Sequence, residues 1–328
     1  MSLRRLLAAA LVALSLPLAG SARAAAPAVA AGHDAWVAVS VARLWDSPSS
    51  PRRLDRPALE RPVRFRAWLS SMSTDQRRAL NFLSQTETLL GERVWVREVR
   101  EGWARVVVPD QPSPKAAGGY PGWVPVRQLT AVAPPVTGTV ATVVRRTAWL
   151  RTNPSDGRDP QRVVEISFGT DLPVVAVHDG YVLVRTPLGA VRRLRSAGAV
   201  VHAPGTAALP RRRADLVGTA QLFTGLPYLW GGLSGFGLDC SGLTWLDFRV
   251  HGQTISRDAL PQSQHGTPVR RSALRQGDLI FYATNGKVHH VTMYAGNGRM
   301  VEAPHTGAVV GTVPVRSSEW FGARRYLG

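Results

Sequence analysis

The sequence predicts two small all-β domains followed by an α+β domain. Residues 91–106 and 169–184 repeat one pattern, in which a glycine opens an alternating strand and an acidic-Gly pair precedes an aromatic return strand. After Gly205 the pattern changes to helical segments and then to several short strands, which is typical of an α+β domain. We therefore expect domains at 34–133, 136–203 and 210–328.

A helical insertion is predicted in the first domain, within residues 57–90. Ser73-Thr74-Asp75-Gln76 matches a capping box, and Ala79, Leu80 and Leu83 follow on one helical face. The hairpin pattern resumes only at Gly91.

The α+β domain is expected to begin with two helices. The first covers 213–224, and the second begins at Cys240 with an apolar pattern through Phe248. The strands that follow are predicted at 279–282, 288–295, 299–303 and 309–315.

The N-terminal segment predicts export. Arg4 and Arg5 precede an apolar stretch over 6–18, and Ala22-Arg23-Ala24 fits a small-x-small cleavage site. We expect a signal peptide at 1–24, a secreted mature chain, and no transmembrane segment after cleavage.

Cys240 is the only cysteine in the 328 residues. A single thiol in an exported chain is reactive, paired with another chain, or a buried structural residue. Its place at a loop-to-helix junction favours reactivity, because the free N–H groups at a helix start stabilise a thiolate. A nucleophilic cysteine needs a base, and the candidate histidines are His251, His265, His289, His290 and His305. His289 and His290 are neighbours on one strand, so only one of them can face the thiol.

Four motifs in order carry a family resemblance. They are Tyr-x-Trp-Gly-Gly at 228–232, Asp-Cys-Ser-Gly-Leu at 239–243, Gly-Asp-Leu-Ile-Phe at 277–281, and His-Val-x-x-Tyr-x-Gly at 290–296. Residues 215–327 thereby resemble the NlpC-type family of cell-wall cysteine peptidases. The resemblance implies a papain-like α+β catalytic domain that cleaves peptidoglycan stem peptides.

The resemblance implies that Cys240 is the nucleophile and His290 is the base. The third residue, often histidine in the family, lies twelve positions after the base and here is Glu302, whose carboxylate can orient the imidazole. Hairpin geometry leaves His305 as an alternative. A three-residue loop would place Glu302 across from His290, whereas a two-residue turn at 297–298 would place His305 there. We favour Glu302.

Three further residues beside the nucleophile are candidates by resemblance. Tyr228 is expected to assist at the oxyanion, unless it only packs. Asp239 and Ser241 are expected to bind the substrate's amine or its D-glutamate carboxylate, although helix capping would explain them as well.

The first two domains resemble bacterial SH3-like modules. The fold class is therefore an α+β papain-like catalytic domain preceded by two all-β SH3-like barrels. This pairing resembles the subgroup that cuts γ-D-glutamyl-diamino acid bonds, in which the first barrel reads the N-terminal L-alanine. Glu92 and Tyr120 match the residues involved, with an exposed strand end and barrel packing as their respective alternatives.

The formal net charge is +18, and lysine occurs only at Lys115 and Lys287. Such a charge attracts polyanions, which outside a cell include the anionic cell-wall surface. The arginines are scattered and match no nucleic-acid-binding motif, so no nucleic-acid partner is expected.

The sequence therefore predicts an exported cysteine endopeptidase with no metal or organic cofactor. Its expected substrates are peptidoglycan stem peptides or wall fragments, cut at the γ-D-glutamyl-diamino acid bond when L-Ala carries a free amine. Two alternatives stay open: a wall-binding adaptor with an inactive peptidase domain, and an amidase or acyltransferase acting on another substrate.

Overall fold

A computed structural model of the chain describes residues 27–135, 137–156 and 158–328. The predicted signal peptide, 1–24, lies outside the described residues. Within the part that is described, no helix is both long and apolar enough to cross a membrane.

The first sheet has seven strands in the order β3-β2-β6-β5-β4-β1-β7. The glycine-led hairpin predicted from the sequence is β4 and β5, which pair from Trp95 with Val107 to Arg100 with Trp103. The strands are β1 (Asp34–Val37), β2 (Val41–Trp45), β3 (Ser84–Leu89), β4 (Arg93–Arg100), β5 (Trp103–Val108), β6 (Tyr120–Pro125) and β7 (Leu129–Thr130).

The second sheet repeats the strand order of the first, β10-β9-β13-β12-β11-β8-β14. Its matching hairpin, β11 and β12, carries a β-bulge between Val174 and Ala176, which corresponds to the bulge between Val96 and Glu98. The strands are β8 (Val140–Val143), β9 (Thr147–Arg151), β10 (Arg162–Ser167), β11 (Asp171–His178), β12 (Tyr181–Arg185), β13 (Val191–Arg195) and β14 (Ala199–His202).

Three short helices lie between β2 and β3, where the sequence predicts an insertion. They are α1 (Arg56–Leu59), α2 (Phe65–Ser70) and α3 (Thr74–Arg78). The capping box is present, because the Ser73 hydroxyl accepts from the Gln76 N–H and the Gln76 side chain accepts from the Ser73 N–H.

The C-terminal part packs three helices against a six-stranded sheet in the order β17-β22-β18-β19-β20-β21. Helix α5 is buried along almost its whole length and contacts β19. The elements are α4 (Arg213–Leu222), the short strands β15 (Leu233–Ser234) and β16 (Gly237–Leu238), α5 (Cys240–Val250), α6 (Ala259–Gln264), β17 (Thr267–Val269), β18 (Leu279–Thr284), β19 (Lys287–Gly296), β20 (Arg299–Glu302), β21 (Gly311–Pro314) and β22 (Trp320–Arg325).

The first sheet and the C-terminal part share one hydrophobic core. A single buried cluster runs from Val41 and Trp68 through Phe236 to Leu243 and Met293, whereas the second sheet has a separate core around Leu150 and Val182. The shared burial fixes the first sheet beside α5, because separating the two would expose that apolar surface to water.

Candidate active site

Cys240 is the first residue of α5, as the motif predicts. Asp239 is the N-cap, and its Oδ1 accepts from the Gly242 N–H at 2.6 Å. A side chain at Gly242 would collide with the backbone carbonyl of Gly232, so the close contact of this loop with the helix requires glycine there. The thiol therefore sits at the positive end of a buried helix.

His290 connects the thiol to a carboxylate. Its Nε2 lies 2.8 Å from Oε2 of Glu302, and both side chains are buried. Burial lowers the pKa of His290, but hydrogen bonds to Cys240 and Glu302 raise it, and the result is about 9. Because Nε2 faces Glu302, Nδ1 is the nitrogen that is left to exchange a proton with the thiol.

The hairpin that brings Glu302 to His290 combines features of both predicted geometries. The turn is the two-residue Asn297-Gly298 type, with both φ angles positive, and Gly296 pairs with Arg299. A β-bulge between Tyr294 and Gly296 then shifts the register by one residue. Extending this pairing places position 304 across from His290, so Glu302 is its diagonal neighbour on the same face.

Two more of the candidate histidines, His289 and His305, have other hydrogen-bond partners, although His289 also lines the cavity that contains the thiol. His305 Nδ1 lies 3.1 Å from the Thr306 carbonyl. His289 is on the opposite face of β19, where its Nε2 lies 3.2 Å from the Thr284 hydroxyl and 3.6 Å from Glu319.

Arg316, which the sequence analysis does not single out, holds the carboxylate from the other side. Its Nη1 donates to both oxygens of Glu302, at 2.8 and 3.0 Å, and its guanidinium stacks on the Tyr282 ring. Burial raises the pKa of Glu302, while hydrogen bonds from His290 and Arg316 lower it more, so the net pKa lies below the ordinary value. Glu302 is thus an ionised carboxylate shared by two cations.

A cavity of about 430 Å³ opens above the thiol. Its walls come from both the first sheet and the C-terminal part, and they include Tyr120, Tyr228, Asp239, Cys240, Ser241 and Asp258. A larger groove, of about 580 Å³, lies between the helical insertion and the second sheet, and Cys240 is not among the residues that line it. Nucleophilic chemistry belongs to the smaller cavity, because only that one contains the thiol.

Tyr228 lies in the cavity wall as a neutral phenol. Burial and the nearby Cys240 and Asp239 raise its pKa above the ordinary value, so the hydroxyl keeps its proton. A protonated phenol beside the nucleophile can donate a hydrogen bond to a developing oxyanion.

Asp239 and Ser241 belong to a buried network centred on Arg257. The Arg257 guanidinium donates to both oxygens of Asp239, at 3.0 and 2.9 Å, and to the Ser241 hydroxyl at 3.0 Å. Its Nε donates to Thr86 of β3 at 2.9 Å, so the network also joins the first sheet to the nucleophile loop. Asp239 therefore acts as helix cap and counter-ion. The Ser241 hydroxyl accepts from Arg257 and donates to Asp239 Oδ1 through a longer contact of 3.4 Å.

Tyr120 reaches the cavity from β6. Its hydroxyl donates to the Asp258 carboxylate at 3.1 Å and accepts from the Lys115 ammonium. Burial and Asp258 raise the pKa of Tyr120, which keeps the phenol neutral. Asp258 and Lys115 are site residues that the sequence analysis did not single out.

The structure does not bring Glu92 to the cavity. The carboxylate is buried and accepts from the Thr88 hydroxyl at 2.6 Å, from the Leu89 N–H at 2.9 Å and from Arg249 of α5. Because these three donors occupy the carboxylate and Glu92 is not among the residues that line the cavity, the expectation that Glu92 receives a substrate amine is corrected. Its carboxylate instead ties the β3–β4 turn to α5.

Comparisons with known proteins identify the family. The NlpC/P60 family model matches residues 225–325, and the YKFC SH3b2 domain model matches residues 143–201. A gamma-D-glutamyl-L-lysine dipeptidyl-peptidase of Bacillus cereus is 38% identical over 305 residues, which cover 89% of this chain and 91% of that protein. The chain belongs to the NlpC/P60 family.

Two further relatives support the same assignment. A Bacillus subtilis protein of the same name is 39% identical over 82% of this chain and 89% of its own length. The crystal structure of an NlpC/P60 family protein from Bacillus cereus superposes with a TM-score of 0.84 at 36% identity, covering 90% of this chain and 100% of that one. The resemblance inferred from the four motifs is confirmed, and the chain is a hydrolase of the cysteine peptidase type with a papain-like catalytic domain and an SH3b domain.

A buried ion pair holds strand β3 of the first sheet against the loop that precedes the nucleophile. Arg43 of β2 donates to Glu87 of β3 at 2.9 Å and to the carbonyl of Trp230 in the Tyr-x-Trp-Gly-Gly motif. Glu87 in turn accepts from the Leu233 N–H at 3.1 Å. This pair fixes the nucleophile loop against the first sheet, because removing either charge would leave the other one buried alone.

Proposed function

We propose that this chain hydrolyses the γ-D-glutamyl-diamino acid bond of peptidoglycan stem peptides, with Cys240 as nucleophile, His290 as base and Glu302 as the orienting carboxylate. The observation that supports it best is the connected arrangement of thiol, imidazole and carboxylate, in which the thiol lines a cavity walled partly by the first sheet. The relatives that carry the gamma-D-glutamyl-L-lysine dipeptidyl-peptidase name match over most of this chain.

In the first half-reaction the Cys240 thiolate attacks the γ-carbonyl carbon of D-glutamate. The C–N bond to the diamino acid breaks, and the proton held by His290 passes to the departing amine. A thioester remains between the γ-carbonyl and Cys240. Glu302 keeps Nε2 of His290 protonated and oriented, so that Nδ1 carries the proton toward the leaving group.

In the second half-reaction water attacks the thioester. His290 accepts the proton of that water, the C–S bond breaks, and the dipeptide leaves with a free γ-carboxylate. The oxyanion of both steps is stabilised by the backbone N–H of Cys240 at the helix start and by the Tyr228 hydroxyl, which burial keeps protonated.

The substrate's dipeptide end is expected to lie along the wall made by the first sheet. The Ser241 hydroxyl can donate to the D-glutamate α-carboxylate by turning its proton away from Asp239, to which it now donates over a long 3.4 Å contact, while Arg257 continues to donate to the serine oxygen. Asp258 and Tyr120 offer acceptor oxygens toward the free amine of L-alanine at the far end of the cavity. The amine end of the bound substrate would stop against the first sheet, and this favours released stem peptides over the cross-linked cell-wall polymer.

We further propose that both seven-stranded sheets are SH3-like barrels, at 34–133 and 136–203, ahead of a catalytic domain at 210–328. Their identical strand order supports this division. The second sheet also has a groove of about 300 Å³ lined by four arginines, Arg145, Arg151, Arg162 and Arg195, which suits an anionic wall surface. Binding to purified walls should therefore weaken steeply as salt is raised from 50 to 500 mM.

We also propose that the protein is exported and that residues 1–24 are cleaved off. The charged, apolar and small-residue regions of that segment support it. N-terminal sequencing of the protein recovered from the culture medium should begin at residue 25. An intact N-terminus retained with the cells would contradict export.

The test of the activity is mass spectrometry of purified protein incubated with L-Ala-γ-D-Glu-diaminopimelate and L-Ala-γ-D-Glu-L-Lys. The expected products are L-Ala-D-Glu and the diamino acid. The matched control is the isomer joined through the α-carboxyl of D-glutamate, which should stay intact. One equivalent of iodoacetamide should abolish cleavage, because Cys240 is the sole thiol of the chain. Cleavage of the α-linked isomer, or activity that survives complete alkylation, would refute the proposal.

A further inference from the structure

Three acceptor oxygens converge in the cavity wall opposite the nucleophile. They belong to Gln85 of β3, Tyr120 of β6 and Asp258 just before α6. The Lys115 ammonium lies among them: it donates to Gln85 Oε1 at 2.8 Å, to the Tyr120 hydroxyl, and it pairs with Asp258 Oδ2 at 3.2 Å. The same ammonium lies 4.5 Å from the centre of the Tyr120 ring.

The arrangement is complementary to one primary ammonium group. Such a group has three N–H donors and no acceptor, and the wall supplies three oxygens and an aromatic face. Tyr120 donates its proton to Asp258 and so presents lone pairs to the cation. Lys115 therefore fills, from within the chain, a site whose chemistry selects an ammonium ion.

The contacts of Lys115 matter for substrate binding, because they lie in the cavity that contains the nucleophile. Gln85, Lys115, Tyr120 and Asp258 line the same cavity as Cys240. In the proposed function, the free α-amine of L-alanine enters this cavity and needs the same oxygens. Two ammonium groups cannot share them, since like charges at that distance repel.

Lys115 is held loosely enough to be displaced. It lies in the connection between β5 and β6, and its side chain is 43% exposed while that of Asp258 is 31% exposed. Ion pairs with this exposure contribute little net free energy, because water solvates both partners once they separate. A substrate amine can therefore displace the Lys115 ammonium from these oxygens.

We propose that Lys115 is a specificity-determining residue that competes as an intramolecular ammonium for the amine subsite and thereby reduces the preference for free N-terminal amines over N-acylated ones. This inference rests on the proposed function for the identity of the substrate. The predicted consequence is that removing the Lys115 charge sharpens amine selection without any change in the catalytic residues.

The experiment measures binding, so that it does not depend on turnover. Titration calorimetry on the Cys240→Ala protein compares L-Ala-γ-D-Glu with its N-acetyl derivative, with and without Lys115→Met. The expected result is that Lys115→Met raises the affinity ratio, free amine over N-acetyl, by about fivefold, the size expected for removing a half-exposed competitor. Lys115→Ala should act in the same direction.

The matched control is Lys287→Met, which should leave the ratio unchanged. Lys287 is the only other lysine of the chain and lies at the exposed start of β19. An unchanged or lowered ratio in Lys115→Met would overturn the inference, as would the absence of binding of either peptide to all variants. Failure of the proposed function has a different signature, namely wild-type protein that leaves the γ-linked peptides uncut while the binding ratio still responds to Lys115.

Discussion

Replacing Glu302 by glutamine tests how this carboxylate sets the charge state of His290. Glutamine has nearly the same shape and can still accept a hydrogen bond from Nε2, but it carries no negative charge. In the wild-type protein the pKa of His290 is about 9, compared with 6.5 for an ordinary histidine. The imidazolium therefore persists to about pH 9, and activity should fall as the pH rises through that value.

The expected magnitude follows from that pKa. A rise from 6.5 to about 9 corresponds to roughly 3.4 kcal/mol in favour of the protonated form. Cys240 and Glu302 both raise the pKa against the opposing effect of burial, so removing the charge of Glu302 should lower the pKa of His290 by about one unit or more. The alkaline limb of the activity profile should then move from about pH 9 to about pH 8 or below.

The assay is kcat/KM for the γ-linked peptide between pH 5 and 10.5. The control is Glu319→Gln, which removes the carboxylate beside His289 on the exposed face of β19 and should leave the alkaline limb in place. An alkaline limb of Glu302→Gln that stays at the wild-type pH, or moves upward, would refute the assigned coupling.

Three other predictions concern buried charges. Arg43→Met leaves Glu87 buried without its cation and should lower the free energy of unfolding by about 3–5 kcal/mol in urea titrations. The double variant Arg43→Met/Glu87→Leu should lose less, because no unpaired charge remains. A single variant within about 1 kcal/mol of wild type would contradict this prediction. Asp247→Asn should raise the melting temperature at pH 8 more than at pH 5. Burial raises the pKa of Asp247, so the folded state loses stability as pH rises above the pKa of an unfolded aspartate, and asparagine removes that loss. An equal gain at both pH values would count against this prediction. Arg316→Met removes one of the groups that lower the pKa of Glu302, so loss of activity on acidification should begin at higher pH than in wild type. Arg316→Lys is the control that keeps a cation. If the acid sides of the pH–activity profiles of Arg316→Met and wild type coincide, Arg316 does not have this role.

Local signals were sufficient for much of this structure. The glycine-led hairpins and the Ser73 capping box depend on contacts between residues close in sequence, and both are present. The family followed from four short motifs, whose spacing reflects the loop-to-helix junction at Cys240 and the strand that carries His290. Alternation along that strand also explains why His290 is buried and His289 exposed.

The choice between Glu302 and His305 could not be made from the turn alone. The two-residue turn that would favour His305 is present, yet one extra residue at the bulge near Ala295 changes the register. A one-residue shift redirects every later side chain of the hairpin, and a bulge has no strong local signature in this segment. The carboxylate meets the imidazole only because that bulge is there.

The sequence by itself determined the family, the nucleophile motif and the alternation that exposes one of two adjacent histidines, because these are properties of short segments. The tertiary structure decided which charges meet: Arg316 on Glu302, Arg257 on Asp239, Lys115 beside Tyr120, and Glu92 on α5 instead of in the cavity. These pairs join residues from 5 to 157 positions apart. Their partners are selected by burial in a core shared between the first sheet and the catalytic part, where an unpaired charge is costly.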